Sequence, residues 1–437
     1  MSIQLVEVRL WGSTIGYIGY PDQSNIAQFE YAQPFINGQF ELSPVVMPNR
    51  IKSHRFADIS LRTFKGLPGV FADSLPDKFG NQLIDLYMAQ KGISPSAITA
   101  IDRLLYVGDR GMGALEYHPT ANFGQDEQVN LALDPVLLAE LASKVASGKD
   151  DLHESLLKSE NLEQAIKLIR VGSSAGGARA KALVARSANG DFFDGTVIHD
   201  GDFSYWLMKF DTDENADRDS KDPKGMTKVE YIYSEIARKA GINIPKTDFI
   251  ENGSDFHFLI ERFDRALIRG KLTKQHYASW CGLAHFHRDT VGAYSYEQLI
   301  MTMRTMKLRQ ADITEVFRRA VFNVVGKNQD DHTKNFGFIA GKDGAWSLSP
   351  AFDMTYSFDP KGAWTRQHQI KLNLKQDNFK RDDLLKFGEY CNLSKSRAES
   401  IIDNVLSAFE VFTEMAKQYE VPEKLTKTIL HFQRTAL

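Results

Sequence analysis

Two cysteines in 437 residues, Cys281 and Cys391, far apart and outside any CxxC pair, offer neither a disulfide framework nor a thiolate zinc site. Both read as ordinary buried thiols. No stretch approaches the ~20 apolar residues of a membrane span. The opening residues, MSIQLVEVRLWG, alternate apolar with charged positions instead of running from a basic start into an unbroken apolar core. They read as a strand and not as a signal peptide, so the cytoplasm is the expected compartment. Charge of one sign is also missing: 53 Lys and Arg face 56 Asp and Glu, for a net charge of −3. Nucleic acid held by this chain alone would therefore need a local basic patch. Internal repeats and low-complexity tracts are absent.

What is present is a globular composition, 43% hydrophobic and 25% charged, in a chain long enough for two or three domains. The first hundred residues mix strand-like runs (VEVRLWG, TIGYIGY, QFEYA) with a helix near LPDKFGNQLIDLYMAQKG, which has Pro76 near its start and Gly92 near its end. From Leu168 to Phe263 the text is strand-rich. KALVARS, YWLMKFD, KTDFIE and FHFLIERFD are separated by turn pairs such as Asn189-Gly190 and Asn252-Gly253, the signal for antiparallel hairpins. One helix interrupts them: VEYIYSEIARKAG, with Val229, Ile232, Ile236 and Ala240 on one face and Gly241 as its cap. After Leu267 helical patterns dominate, as in DLLKFGEYC and ESIIDNVLSAFEVFTEMAKQYE. Asp211 to Lys228 holds almost no apolar residue and is expected as an exposed loop.

QDDHTKNFG, Gln329 to Gly337, concentrates polar groups immediately before an apolar stretch. Asp330 and Asn335 stand at the spacing D-x-x-x-x-N, at which protein kinases place a base and a metal-binding amide. Downstream, WSLSPAFDMTYSF supplies a strand ending at Asp353, with Phe352 beside it, for a second metal-binding carboxylate. The base must accept a hydroxyl proton, and hard oxygen ligands must hold Mg²⁺ against phosphates. A register shifted by one residue, Asp331 with Asn335 and Asp353, fits as well, and solvated loop residues in a polar turn are the plainer reading.

Order along the chain strengthens the kinase reading. VGSSAGGARAK, Val171 to Lys181, is rich in small residues and precedes the strand ALVAR, so its backbone amides can cradle phosphates, although it departs from G-x-G-x-x-G. Lys209 is a lone cation in an apolar strand, a costly place without a partner. Glu230 opens the single helix of this region and can be that partner, or can serve the helix dipole. FLIERFD ends an apolar strand in charged residues, where adenine would meet hinge backbone.

VGSSAGGARAK, ERFDR, DDHTKNFG and LSPAFDMTYSF, with LPDKFGNQLIDLY and VGDRGMGAL toward the N-terminus, closely resemble the HipA family of bacterial serine/threonine kinase toxins over nearly the whole chain. The resemblance implies an α+β, bilobal protein-kinase-like fold with a β-rich N-terminal lobe, an extra N-terminal β subdomain and an all-helical C-terminal lobe. Residues 1–125, 126–266 and 267–437 are the expected spans. It implies ATP and Mg²⁺, a HipB-like helix-turn-helix antitoxin on operator DNA, and a protein substrate such as an aminoacyl-tRNA synthetase. Carried over residue by residue, Asp330 would be the base, Asn335 and Asp353 the metal ligands, and Lys209, with Glu230, the phosphate-pairing lysine. Gly176, Gly177, Ala178, Arg179, Ala180 and Lys181 would run along the phosphates. Glu261, Arg262 and Phe263 would lie at the hinge, Asp264 near the ribose, and His332 and Lys334 beside the base. Ser174, with Ser173 as its competitor, would be autophosphorylated. Lys380 and Arg381, at the start of the helix in NFKRDDLLKF, are candidates for DNA phosphates. Asp331 stands where the family motif DGHAKN has Gly. Such a carboxylate is expected to repel an acidic substrate or add a metal contact, which leaves the acceptor open.

Overall fold

A computed structural model describes residues 5–36, 38–90, 92–120, 132–146, 167–168, 170–172, 179–212, 223–268 and 270–437. The chain forms two compact units, one of Met1–Gln39, Asn49–Thr227 and Asp248–Tyr277, the other of Phe40–Pro48, Lys228–Thr247 and Ala278–Leu437. These boundaries cut across the three spans expected from the sequence.

The first unit is β-rich. Strands β1 (Leu5–Leu10), β2 (Ser13–Gly19), β3 (Gln28–Tyr31), β4 (Ser53–Arg55) and β5 (Leu115–Pro119) make a sheet of order β4-β3-β2-β1-β5. β1 shows why: Val6, Val8 and Leu10 are buried while Glu7 and Arg9 between them are not, the two-residue period of a sheet with one covered face. A second sheet contains β6 (Ala132–Leu133), β7 (Lys181–Ser187), β8 (Phe192–Asp194), β9 (Phe203–Lys209), β10 (Thr247–Asn252) and β11 (Asp255–Glu261), in the order β10-β11-β9-β7-β8-β6. Its inner face, with Val184, Trp206, Met208 and Leu259, packs against Phe79 and Leu83 of helix Lys78–Gln90 and Leu138 and Leu141 of helix Pro135–Ala146. A hairpin of β12 (Arg265–Ile268) and β13 (Lys271–Lys274) follows.

In the second unit, helix Gln310–Gly326 has 12 buried residues among its 17. Helix Met226–Lys239 joins this unit, not the strands that flank it in sequence. Val229, Ile232, Ile236 and Ala240 are all fully buried, as their spacing predicts, and Tyr233 packs edge-on against Phe322, Phe409 and Phe412. The C-terminal part is not all-helical as expected. β14 (His276–Ser279), β15 (Gly337–Ala340) and β16 (Trp346–Leu348) form a three-stranded sheet, because GFIA and WSL are short apolar runs on either side of the turn GKDG. The strand expected to reach Asp353 stops at Leu348, just before Pro350, which has no N–H to give a ladder. The rest of the expected α+β class, β-rich first and helix-rich later, is what the structure has. Of the expected loop Asp211 to Lys228, residues 213–222 lie outside the described residues. No helix among the described residues is long and apolar enough to cross a membrane.

Candidate functional site

Helix Gln310–Gly326 ends at Lys327, whose left-handed φ of 55° turns the chain out of the helix. Two residues beyond Asn328 comes Asp330. A short 3₁₀ turn, Thr333–Asn335, then hands the chain to β15. The D-x-x-x-x-N spacing has a local cause: the Asn335 side-chain amide donates to the Asp330 carbonyl at 2.7 Å and the Asn335 N–H to the His332 carbonyl at 2.9 Å. With its Nδ2 spent on that bond, Asn335 presents Oδ1 in the other direction.

The two adjacent aspartates have opposite environments. The Asp330 side chain is 39% exposed and accepts the Trp364 indole N–H at 2.7 Å. Asp331 is 1% exposed. Its Oδ2 accepts the Tyr296 hydroxyl and bonds His368 Nδ1, both at 2.8 Å, and its Oδ1 accepts the Gln369 backbone N–H at 2.8 Å. Both of its oxygens are taken, and the residue anchors the loop from within. Burial, then the Asp331 charge, pushes the Tyr296 hydroxyl well above its ordinary range, so it remains a donor.

His332 is buried, and burial lowers its pKa more than Asp330 raises it, so it is neutral at pH 7. Its Nδ1 accepts the Lys334 backbone N–H, which puts the ring proton on Nε2, 3.8 Å from Asp330 Oδ1. Asp353 has a φ of 53°, a left-handed conformation that costs an ordinary residue of order 1 kcal/mol or more. The Asn328 amide donates to its carbonyl at 3.3 Å. Asn335 and Asp353 line one small pocket together with Asp331, Asn328 and Arg319. An amide oxygen and a carboxylate are hard donors that suit Mg²⁺. Among the described residues no group of three or more His, Cys, Asp or Glu side chains could hold a metal ion.

In the first unit, Lys209 lies opposite Lys181 across β7 and β9, 8% exposed. Lys181, expected along the phosphates, is turned inward: its ammonium lies 3.0 Å from the Asp77 carboxylate, which also accepts the Gly80 N–H at the start of helix Lys78–Gln90. Glu230 is 2% exposed in helix Met226–Lys239. Arg179 is half-buried and Ala180 buried. Ser173, Ser174, Gly176, Gly177 and Ala178 lie outside the described residues.

Half-buried Glu261 ends β11, and half-buried Phe263 packs near Tyr277, 5.8 Å between rings. Arg262 and Asp264 turn their side chains inward. Both are buried, at 3% and 0% exposure. The Asp264 carboxylate accepts Arg262 Nε at 3.0 Å, Arg262 Nη2 at 2.9 Å, Arg265 Nη1 at 2.6 Å and the Gly113 N–H at 2.7 Å. Arg262 Nη1 donates onward to the Gly195 carbonyl at 2.8 Å. This carboxylate is spent on tying the Gly111–Gly113 turn to the end of β11, not on a ribose. Half-buried Lys334 lies in the 3₁₀ turn, and Lys380, exposed, and Arg381 begin helix Arg381–Tyr390. Arg381 is paired with Asp403 at 2.5 Å.

Trp364, Tyr296, His368, Gln369 and Arg265 were not singled out from the sequence. The first four lie outside any motif. Arg265 stands in the quoted ERFDR, which gives no sign that its guanidinium turns inward.

The chain is similar to known proteins. The model of the HipA-like C-terminal domain matches residues 173–411, more than half of the chain, and that of the HipA N-terminal domain matches residues 6–118. A protein of Sinorhizobium fredii named "Putative kinase Y4dM" is 23% identical over 230 residues, 50% of this chain and 53% of the relative. A "Putative kinase" of Haemophilus influenzae is 23% identical over 239 residues, 48% of this chain and 68% of the relative. The chain thus spans about half the length of the first of these. The HipA structure from a Shewanella oneidensis complex of HipA, HipB and operator DNA superimposes with a TM-score of 0.64 at 16% identity, covering 98% of this chain and 94% of that one, so the two share a fold. With both of its domain models matched in order along one chain, the protein belongs to the HipA family.

Proposed function

We propose that the chain is an ATP-dependent serine/threonine kinase acting as the toxin of a toxin–antitoxin pair. The observation that carries this reading is the exposed Asp330 carboxylate in the D-x-x-x-x-N loop, which the Asn335 amide closes by donating to the Asp330 backbone carbonyl, with Asn335 and Asp353 on one pocket. Asp330 takes the proton of the acceptor hydroxyl, whose oxygen bonds the γ-phosphorus of ATP while the bond to the β–γ bridging oxygen breaks and ADP leaves. Asn335 and Asp353 would hold Mg²⁺, which when bound neutralises charge on the phosphates. Lys209 and the loop from Gly176 to Ala180 are assigned to the phosphates of ATP. Incubation with ATP, Mg²⁺ and cell lysate, followed by phosphopeptide mapping, tests the reading. Phosphate on serine or threonine of this chain and of a lysate protein is expected; no ATP-dependent phosphate on either overturns it.

Within this reading, phosphorylation of Ser174 adds roughly −1.5 to −2 charges beside the place of ATP's own phosphates. Calorimetry on phosphorylated and unphosphorylated protein is expected to show weaker ATP binding by the phosphorylated form. Equal affinities would remove the loop from nucleotide control.

The partner we propose is a HipB-like antitoxin on operator DNA, as in the Shewanella complex. Arg381 already has Asp403 as a counter-charge, whereas Lys380 is exposed at the helix start. Lys380→Ala is therefore expected to reduce the salt slope of the ternary complex by about one phosphate contact, and Arg381→Ala by less. A slope unchanged in Lys380→Ala takes this helix end off the DNA.

A further inference from the structure

Residues 364–369 form a strap across the loop of the two aspartates, and one of its side chains touches the proposed base. Trp364 Nε1 donates to Asp330 Oδ1 at 2.7 Å. The strap is tied down on both sides of that contact. Toward its end, His368 and the Gln369 N–H hold the two oxygens of Asp331 at 2.8 Å each. At its start, the Gln329 side-chain amide lies between the Thr365 carbonyl and Lys327 Nζ, and with its N–H toward the carbonyl it bonds both, at 2.9 and 3.1 Å. The Gln369 side-chain amide closes the strap on itself by donating to the Trp364 carbonyl. An indole whose backbone is fixed from both directions is preorganised, not a passing surface ring.

We propose that Trp364 is a positioning residue for Asp330, an inference that rests on the kinase reading above. A carboxylate has two oxygens. With Oδ1 held by the indole N–H, rotation about the Asp330 side chain is restricted and Oδ2 is the oxygen presented to the hydroxyl that loses its proton. The His332 ring lies 6.3 Å from the indole, centroid to centroid, with its Nε2 3.8 Å from the same Oδ1. The indole N–H occupies Oδ1, which leaves Oδ2 for the acceptor hydroxyl. A hydrogen bond to a charged group is among the stronger ones in a protein, so its loss is felt at the base rather than at the nucleotide.

The test compares wild type, Trp364→Phe and Trp364→Ala for incorporation of labelled γ-phosphate into the chain itself, with ATP affinity by calorimetry and melting curves alongside. Trp364→Phe keeps the ring but not the N–H, and is expected to slow incorporation about tenfold or more with ATP affinity and melting unchanged. Trp364→Ala, which removes the ring as well, is expected to be slower still. Incorporation by Trp364→Phe at the wild-type rate, or a loss matched by an equal loss of ATP binding, overturns the assignment. A second readout needs no catalysis. Asp330→Asn is expected to change indole fluorescence in the wild-type background and to change nothing in Trp364→Phe. A wild type that neither binds ATP nor incorporates phosphate defeats the kinase reading alone, while an Asp330→Asn change that is absent in wild type, or as large in Trp364→Phe as in wild type, defeats the Trp364 contact.

Discussion

Asp330→Asn is expected to lower phosphate transfer by about 10²- to 10⁴-fold, the usual worth of a general base, with the melting transition left in place. An amide does not accept the hydroxyl proton. It does keep what Asp330 contributes to the fold: its oxygen still accepts the Trp364 indole N–H, and the backbone carbonyl still accepts the Asn335 amide. Asp331→Asn is expected to behave in the opposite way. Three donors converge on the two oxygens of that buried carboxylate. An amide has one acceptor oxygen and would turn an N–H toward a donor, costing about 1–3 kcal/mol per unsatisfied buried group. Label incorporation and thermal melting on both variants separate the roles. Should Asp331→Asn melt like wild type yet lose all transfer, while Asp330→Asn stays active, the base is Asp331.

The sequence made legible what is decided locally. The alternation of Val6, Val8 and Leu10 gives β1 one covered face, and the four-residue rhythm of Val229, Ile232, Ile236 and Ala240 marks the buried side of one helix. The pairing of Asp330 with Asn335 was visible because the bond that requires it closes over five residues. Which of two neighbouring aspartates faces solvent was not visible, because the donors that pull Asp331 inward stand 35, 37 and 38 residues away. The roles of Arg262 and Asp264 are set by the Gly113 N–H, 151 residues before Asp264. In the text ERFD the carboxylate has the form of a ligand-facing group, and only the fold supplies the two guanidiniums and the amide that enclose it. Strands of three and four residues, as in β15 and β16, contain too few alternations to stand out against helices of ten and more.

Replacement of Asp264 is expected to be the most damaging single change in the first unit. The carboxylate is fully buried between two buried guanidinium groups, those of Arg262 and Arg265. Asp264→Ala leaves both cations in the interior with no counter-charge, and breaking a buried ion pair from one side costs about 3–5 kcal/mol, a large part of the roughly 5–15 kcal/mol that holds a typical protein together. Arg265 shows the strain on the cations: burial, and then the Arg262 charge, already bring its pKa down to about 10. Asp264→Asn preserves size and one acceptor but loses the charge, so it is expected to fall between alanine and wild type. Adding Arg265→Met to Asp264→Asn removes one uncompensated cation and is expected to recover part of the loss. The same carboxylate predicts an acid limb. Burial alone would raise its pKa, but the two arginines, joined by the Gly113 N–H, hold it well below the ordinary carboxylate range. A depressed folded pKa gives stability that is complete above the unfolded value of about 4 and drains away as the pH falls below it. Urea unfolding at pH 7 and pH 3 is therefore expected to show a wild type that loses stability between the two, and an Asp264→Asn protein that loses less. If Asp264 served a ribose instead, Asp264→Asn would weaken ATP binding and leave the urea midpoint alone. The burial of all three charges makes the opposite pattern the expected one, a lowered midpoint with nucleotide affinity retained by the fraction that stays folded.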